Sequence, residues 1–202
     1  MSAELGLDEI NDFAPVGFYV ALRVGFAFPV EEMNNLPVEW VKHYTKQRFM
    51  MFDPVVRWVH SNTGTVRWSE LDIDDPKGVL SQAQVFGLRY GAAVSHFDGN
   101  SQGQRSYGFF LRGDREFTDL EIRILHAYVV RRNDETSPPT NITAAELSAL
   151  GMVRDGMRLK QIAFELGISE GAVKQRLKNA KLKLSANTST QAAAMAAQFG
   201  LI

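Results

Sequence analysis

The chain has 202 residues, enough for one medium domain and one small one, each with a core of its own. An apolar share of 45% and a charged share of 22% are ordinary for a globular protein, and no apolar run reaches the ~18 residues of a transmembrane helix. The net charge of −1 hides an asymmetry, with 14 Lys and Arg against 19 Asp and Glu over residues 1–140, and 8 against 4 over residues 141–202.

In chain order, Met1-Ser2-Ala3-Glu4 lacks the basic and apolar stretches of a secretion signal, which fits a cytoplasmic protein without a membrane partner. Gly17 to Phe28, rich in Val, Phe, Tyr and Leu, predicts a strand. Val38 to Arg48, entered after Pro37, predicts a helix with Val41 and Tyr44 as apolar positions. Asp53-Pro54 opens a second helix carrying Val55, Val56, Trp58 and Val59. Thr65 to Trp68 suits a short strand, and Pro76 to Phe86 a helix stopped by Gly87. Tyr90 to Phe97 and Ser106 to Arg112 form a hairpin across Asp98-Gly99-Asn100-Ser101. Thr118 caps a helix reaching Arg132, with Leu120, Ile124, Leu125 and Tyr128 on one face. Mixed helices and antiparallel strands of this kind predict an α+β fold, an α/β/α sandwich, for residues 1–132. A polar stretch containing Pro138-Pro139 makes 133–141 a linker.

Residues 142–202 carry the basic excess and divide into short helices, an all-α four-helix domain. Thr143 to Asp155 ends at Gly156, and Leu159 to Leu166 carries Ile162 and Ala163. Gly167 then turns the chain, and Ser169 caps a third helix that buries Ala172, Val173 and Leu177. Thr190 to Phe199 makes the fourth. A helix, a tight turn and a second helix form a helix-turn-helix, which lays its second helix in the major groove of DNA. Lys174 and Lys178 share one face of that helix and reach guanine edges or phosphates; Lys160, Lys181 and Lys183 suit phosphates, whose contacts add affinity without sequence choice.

Chemistry of other kinds has little support. The chain has no cysteine, its 4 histidines are scattered, and no nucleophile stands with a base, so no metal, cofactor or enzymatic reaction is expected, lactone hydrolysis included. One constellation in the front half is informative: Trp40 and Tyr44 one helical turn apart, then Asp53, Trp68 and Gly91. An indole N–H only donates and a carboxylate only accepts, so Trp40 and Asp53 suit a ligand presenting both a carbonyl and an amide N–H. Spacing alone is equally met by a helix cap at Asp53 and by core aromatics.

The tail resembles the helix-turn-helix of LuxR-type regulators. Glu146, Leu150 and Gly156 match, as do Val173-Lys174, Leu177, Asn179, Lys183-Leu184 and the ending Gly200-Leu201-Ile202. The resemblance implies DNA contacts by Lys160, Ser169, Lys174, Gln175, Lys178 and Lys181, with Lys174, Gln175 and Lys178 approaching bases. Ala172, Arg176 and Thr188 depart from the common threonine, histidine and arginine. The same tail occurs in two-component response regulators, but residues 1–132 show no parallel-sheet alternation with clustered aspartates. From about Phe18 to Arg132 the chain instead resembles the autoinducer-binding domain of LuxR-type proteins. That implies an N-acyl-homoserine lactone as ligand, Trp40 donating to the lactone carbonyl, Asp53 accepting the amide, Tyr44 and Trp68 as walls, and Gly91 as the family glycine. Leu36 stands where some relatives have a tyrosine bonded to the acyl carbonyl, which weakens the site, and Phe109 where several have a small hydroxyl residue, which shortens or reroutes the acyl channel.

The function expected is a quorum-sensing transcription regulator that binds DNA as a homodimer, with RNA polymerase as a further possible partner. The helices from Thr118 and Thr190 are the expected dimer surfaces. Alternatives are a regulator that answers a different signal or none, and a partner that pairs with a longer relative and blocks it. A chain that starts later than typical relatives would suit the latter.

Overall fold

The computed structural model describes residues 7–24, 28–99 and 104–202, which form two compact units, residues 1–136 and 137–202. Met1 to Glu4, the middle of the expected strand to Phe28, and Asn100-Ser101 of the hairpin turn lie outside the described residues.

The first unit is an α/β/α sandwich. Its antiparallel sheet has the order β2-β1-β5-β4-β3, built from β1 (Gly17–Val24), β2 (Glu31–Asn34), β3 (Gly64–Arg67), β4 (Tyr90–Asp98) and β5 (Gln104–Arg112). β1 ends at Val24 rather than Phe28, which is exposed outside any strand. Alternation sorts the side chains between two faces. Phe18, Val20, Leu22, Ala92, Val94 and Phe110 point to one side, where Ile10 of α1 (Leu7–Phe13) and Ile122, Leu125, Tyr128 and Val129 of α5 (Asp119–Glu135) cover them. The buried stripe of α5 is thus centred on Ile122 and Leu125, and Leu120, expected inside, is largely exposed. A reciprocal capping box holds the start of α5: Glu121 N–H donates to Thr118 Oγ1, and Thr118 N–H to Glu121 Oε2.

α2 (Val38–Gln47), α3 (Pro54–Ser61) and α4 (Val79–Val85) cover the other face. α4 begins three residues beyond the expected Pro76, because Gly78 adopts a left-handed conformation (φ 60°) and the Asp75 carboxylate accepts from Val79 and Leu80 N–H at 2.8 and 3.0 Å.

A polar cluster ties the end of α5 to the sheet. β1 bulges between Ala21 and Val24, turning the Arg23 side chain inward, where it is 1% exposed. Arg23 Nε donates to the Asn133 carbonyl at 2.9 Å, and its guanidinium pairs with Asp98 at 2.8 Å. Ser106 Oγ donates to Asn133 Oδ1 at 2.8 Å and accepts from Arg23 N–H at 2.9 Å. A buried charge persists only when paired and hydrogen-bonded, and every contact here meets that requirement.

The second unit contains α6 (Ala144–Arg154), α7 (Leu159–Glu165), α8 (Glu170–Lys183) and α9 (Ser189–Gln198) around Leu150, Ile162, Val173, Leu177, Ala180 and the alanines of α9. Ala180 is buried where Ala172, expected inside, is only half-buried. Glu146 sits within this core and is 4% exposed. Its carboxylate accepts from Thr143 N–H, completing a capping box, and from Lys183 Nζ at 2.8 and 2.9 Å. Burial raises the pKa of Glu146, but Lys183 and the Thr143 amide and hydroxyl outweigh it, holding the carboxyl below its usual 4.5. Lys183, expected at a phosphate, therefore serves as an internal anchor that links α8 to α6 and to the Asn141 carbonyl.

Candidate signal-binding cavity and DNA-reading helix

Between the sheet and α2–α4 the side chains leave a cavity of about 340 Å³. Ligand pockets run from about 300 to 1,000 Å³, so this one holds a small molecule. Trp40, Val41, Tyr44 and Thr45 line it from α2, Asp53, Val55 and Val56 from the start of α3, and Val79, Leu80 and Ala83 from α4. The sheet contributes Tyr19, Tyr107, Phe109 and Leu111, with Trp68 just beyond β3 and Leu36 ahead of α2.

Trp40 is held on several sides: Tyr44 meets it edge-on at 5.5 Å, Phe86 at 5.5 Å and Phe49 at 6.2 Å between ring centres. Asp53 caps α3, accepting from Val55 N–H at 2.8 Å and Val56 N–H at 3.4 Å through Oδ1. Its Oδ2 accepts from the Tyr44 hydroxyl at 2.8 Å. The helix cap and the cavity wall are therefore one residue. A carboxylate oxygen carries two lone pairs, so Oδ2 keeps one for a further donor. Burial is the largest influence on Asp53 and raises its pKa above the usual 3.8, although Tyr44 and the two amides pull the other way. The Tyr44 hydroxyl is pushed up by burial and then by Asp53, so it remains a donor at any ordinary pH.

Trp68 lines the cavity, and its buried Nε1–H has no acceptor among the described residues. Gly91 lies behind this indole rather than at the cavity wall. A Cβ built on Gly91 would stand 2.2 Å from Trp68 Cε2, so the absent side chain is what admits the ring. Leu36 and Phe109 both reach the cavity, as expected, and Phe109 stacks with Tyr19 at 6.0 Å. Sequence reasoning passed over Tyr19, Tyr107 and Glu32, which complete the sheet wall and its rim.

In the second unit, Gly167 (φ 63°) turns the chain between α7 and α8, and Ser169 Oγ accepts from Ala172 N–H at 3.2 Å as the cap of α8. Val173 and Leu177 face the core, which leaves Lys174, Gln175 and Lys178 exposed together on the opposite side. Gln175 Nε2 donates to Asn179 Oδ1 at 2.8 Å, fixing one end of that row. Lys160 on α7 is exposed and Lys181 half-buried.

A ligand-sized cavity in an α/β/α sandwich and a helix-turn-helix in the same chain define a small-molecule-sensing, DNA-binding regulator. Comparison with known proteins agrees. Residues 22–131 match the family described as the autoinducer binding domain, and residues 140–196 match bacterial regulatory proteins of the luxR family. The chain is 30% identical over 184 residues to Regulatory protein SdiA of Escherichia coli (strain K12), covering 84% of this chain and 75% of that protein. It is 26% identical over 194 residues to the HTH-type quorum-sensing regulator RhlR of Pseudomonas aeruginosa, covering 89% and 79%. A solved structure of SdiA in complex with octanoyl-rac-glycerol shares the fold at a TM-score of 0.52, with 24% identity, 96% of this chain covered and 87% of that one. The chain belongs to the LuxR-type family of quorum-sensing transcription regulators, an autoinducer-binding domain followed by a LuxR-type helix-turn-helix. Among the described residues, no helix is long and apolar enough to cross a membrane.

Proposed function

We propose that the cavity binds an N-acyl-homoserine lactone and that the loaded protein binds a roughly palindromic DNA site as a homodimer. One observation carries the reading: Trp40, Tyr44, Asp53 and Trp68 converge on a single cavity, with one lone pair of Asp53 Oδ2 still to be filled. The ligand amide N–H donates to Asp53, the Trp40 indole donates to the lactone carbonyl, and the acyl chain runs along Leu36, Val55 and Leu111. The acyl carbonyl is an acceptor of the kind the unpartnered Trp68 N–H lacks. A buried donor without a partner costs about 1–3 kcal/mol, which a ligand acceptor would relieve. Leu36 supplies no hydroxyl to that carbonyl, so the ligand is held by fewer polar contacts and more by apolar burial.

Binding only the folded state, the ligand stabilises it by RT ln(1 + [L]/Kd), about 2.7 kcal/mol at a hundredfold excess over Kd. Two copies then set their α8 helices one DNA turn apart, with Lys174, Gln175 and Lys178 at base edges and Lys160, Ser169 and Lys181 at phosphates. The long α5 and the alanine-rich α9 are the dimer surfaces. The test is an operator-binding titration of purified protein with and without a panel of homoserine lactones, with the mass of the DNA-bound species measured in parallel. Lactone-dependent binding of two copies per site supports the reading, whereas lactone-independent binding, or one copy per site, contradicts it.

A further inference from the structure

The cavity has a second polar end, on its sheet side. β1 and β2 pair so that Asn34 stands opposite Tyr19 and Glu32 opposite Ala21, and β1 and β5 pair Tyr19 with Phe109 and Ala21 with Tyr107. Tyr19, Glu32, Tyr107 and Phe109 therefore share the cavity face of the sheet. Ring centres lie 6.2 Å apart for Tyr19 and Tyr107, 6.0 Å for Tyr19 and Phe109, and 5.4 Å for Tyr107 and Phe109, a continuous aromatic floor. Glu32, on the edge strand, closes that floor with an exposed carboxylate at the rim.

Acceptors dominate this end, with Asn34 adding one amide donor beside them. Among the described residues, the cavity lining contains no Lys, Arg or His, and a carboxylate can only accept. Burial, then Tyr107 and Glu32, push the Tyr19 hydroxyl well above its usual range, and burial followed by Glu32 raises that of Tyr107. Both phenols stay protonated. When Tyr19 turns its proton toward Glu32, its oxygen faces the cavity as an acceptor, beside a carboxylate that is an acceptor already.

The geometry points to Glu32, Tyr19 and Tyr107 as a specificity-determining pole that selects a signal carrying a hydrogen-bond donor, a hydroxyl, on its acyl portion. This rests on the lactone reading above. A ligand hydroxyl can donate to Glu32 or to the Tyr19 oxygen while accepting from Tyr107. A keto oxygen at the same place can accept from Tyr107 or Asn34 but leaves the Glu32 carboxylate unanswered, and an unsubstituted chain leaves the pole to water.

The test compares N-(3-hydroxyoctanoyl)-, N-(3-oxooctanoyl)- and N-octanoyl-homoserine lactone by calorimetric titration of the full chain, its Glu32→Gln and Tyr19→Phe variants included. One neutral hydrogen bond is worth a few-fold to about tenfold in affinity. The wild-type protein should therefore favour the hydroxyl form over the unsubstituted one by about 3- to 10-fold. Glu32→Gln places an amide N–H at the rim and should move the preference toward the oxo form, and Tyr19→Phe should flatten it. Since Glu32 is exposed, its replacement leaves the fold intact. A hydroxyl preference that is unchanged in both variants, or a wild-type preference for the oxo form, overturns the pole while leaving the lactone reading standing. If none of the three lactones binds, both fall.

Discussion

Gly91→Ala is a small change with a large expected consequence. The new Cβ would lie 2.2, 2.3 and 2.5 Å from Trp68 Cε2, Cδ2 and Nε1, all atoms of the rigid indole. Normal carbon contacts begin near 3.5 Å, so the ring has to retreat by roughly 1.3 Å. Overpacking of this kind costs about 1–3 kcal/mol. The φ of Gly91 is one that any residue adopts, so alanine also returns about 0.4–1 kcal/mol by stiffening the unfolded chain. The net loss should be about 1–2 kcal/mol, with a cavity narrowed at its Trp68 wall. A double-mutant cycle isolates the cause. In a Trp68→Ala background the clash disappears, and Gly91→Ala should become neutral or stabilising by about 0.5 kcal/mol. Urea unfolding followed by far-ultraviolet circular dichroism measures all four proteins. If Gly91→Ala costs the same in both backgrounds, the glycine is not there to admit the indole.

Three further perturbations address the second unit and the polar end at Asp53. Lys183→Met leaves Glu146 charged and buried without its partner, which should cost about 2–3 kcal/mol at neutral pH, less than the ~3–5 kcal/mol of a fully buried pair because Lys183 retains some solvent contact. The folded pKa of Glu146 is depressed, so the pair's contribution is fully present above about 4.5 and is lost as the pH falls through the lower folded value; the gap between wild type and variant in chemical unfolding should shrink accordingly. A gap that does not change with pH would show that the pair contributes nothing. Asp53→Asn keeps an oxygen to cap α3 but removes the charge, and should weaken lactone binding by about tenfold or more in a fluorescence titration. Because burial raises the Asp53 pKa, wild-type binding should start to fall at a pH above the ordinary 3.8, and Asp53→Asn should show no such fall. Lys174→Ala and Lys178→Ala should each lose about 1–3 kcal/mol at the cognate site while sparing non-specific DNA, whereas Lys160→Ala should weaken both alike and flatten the salt dependence.

Elements with local chemical punctuation were legible in the sequence. Thr118, Thr143 and Ser169 cap helices, Asp53-Pro54 opens one, Gly167 turns one helix into the next, and Gly87 follows the end of α4. Where tertiary context decides, the pattern was silent or misleading. β2 reads Glu-Glu-Met-Asn and shows no apolar alternation, because it is a sheet edge with Glu32 and Asn34 at the cavity and only Met33 packed against the core under α5. With that strand unseen, Glu32 had no place in any site. Tyr19 and Tyr107 lie on strands covered on both faces, where a tyrosine reads as core, and only the cavity separates them from it. By alternation Arg23 belongs on the Tyr19 and Ala21 face of the sheet, and the bulge that turns it toward the end of α5 is answered by Asn133, 110 residues away. The cap and a place in the cavity wall looked like alternatives for Asp53, yet Oδ1 serves the cap while Oδ2 takes the Tyr44 hydroxyl. Lys183 looked like any other lysine of a basic helix until the buried Glu146 was seen beside it.

A thermal melt with the lactone panel tests signal binding most directly. At a hundredfold excess over Kd, a fitting lactone adds about 2.7 kcal/mol, and at about 2–4 °C per kcal/mol for a domain of this size the midpoint should rise by roughly 5–10 °C. Trp40→Phe, which keeps an aromatic ring and loses the donor, should melt somewhat below the wild type when unliganded because the smaller ring packs less well, and should show a smaller rise with lactone. A wild-type midpoint that no lactone moves would mean that this cavity does not receive the signal.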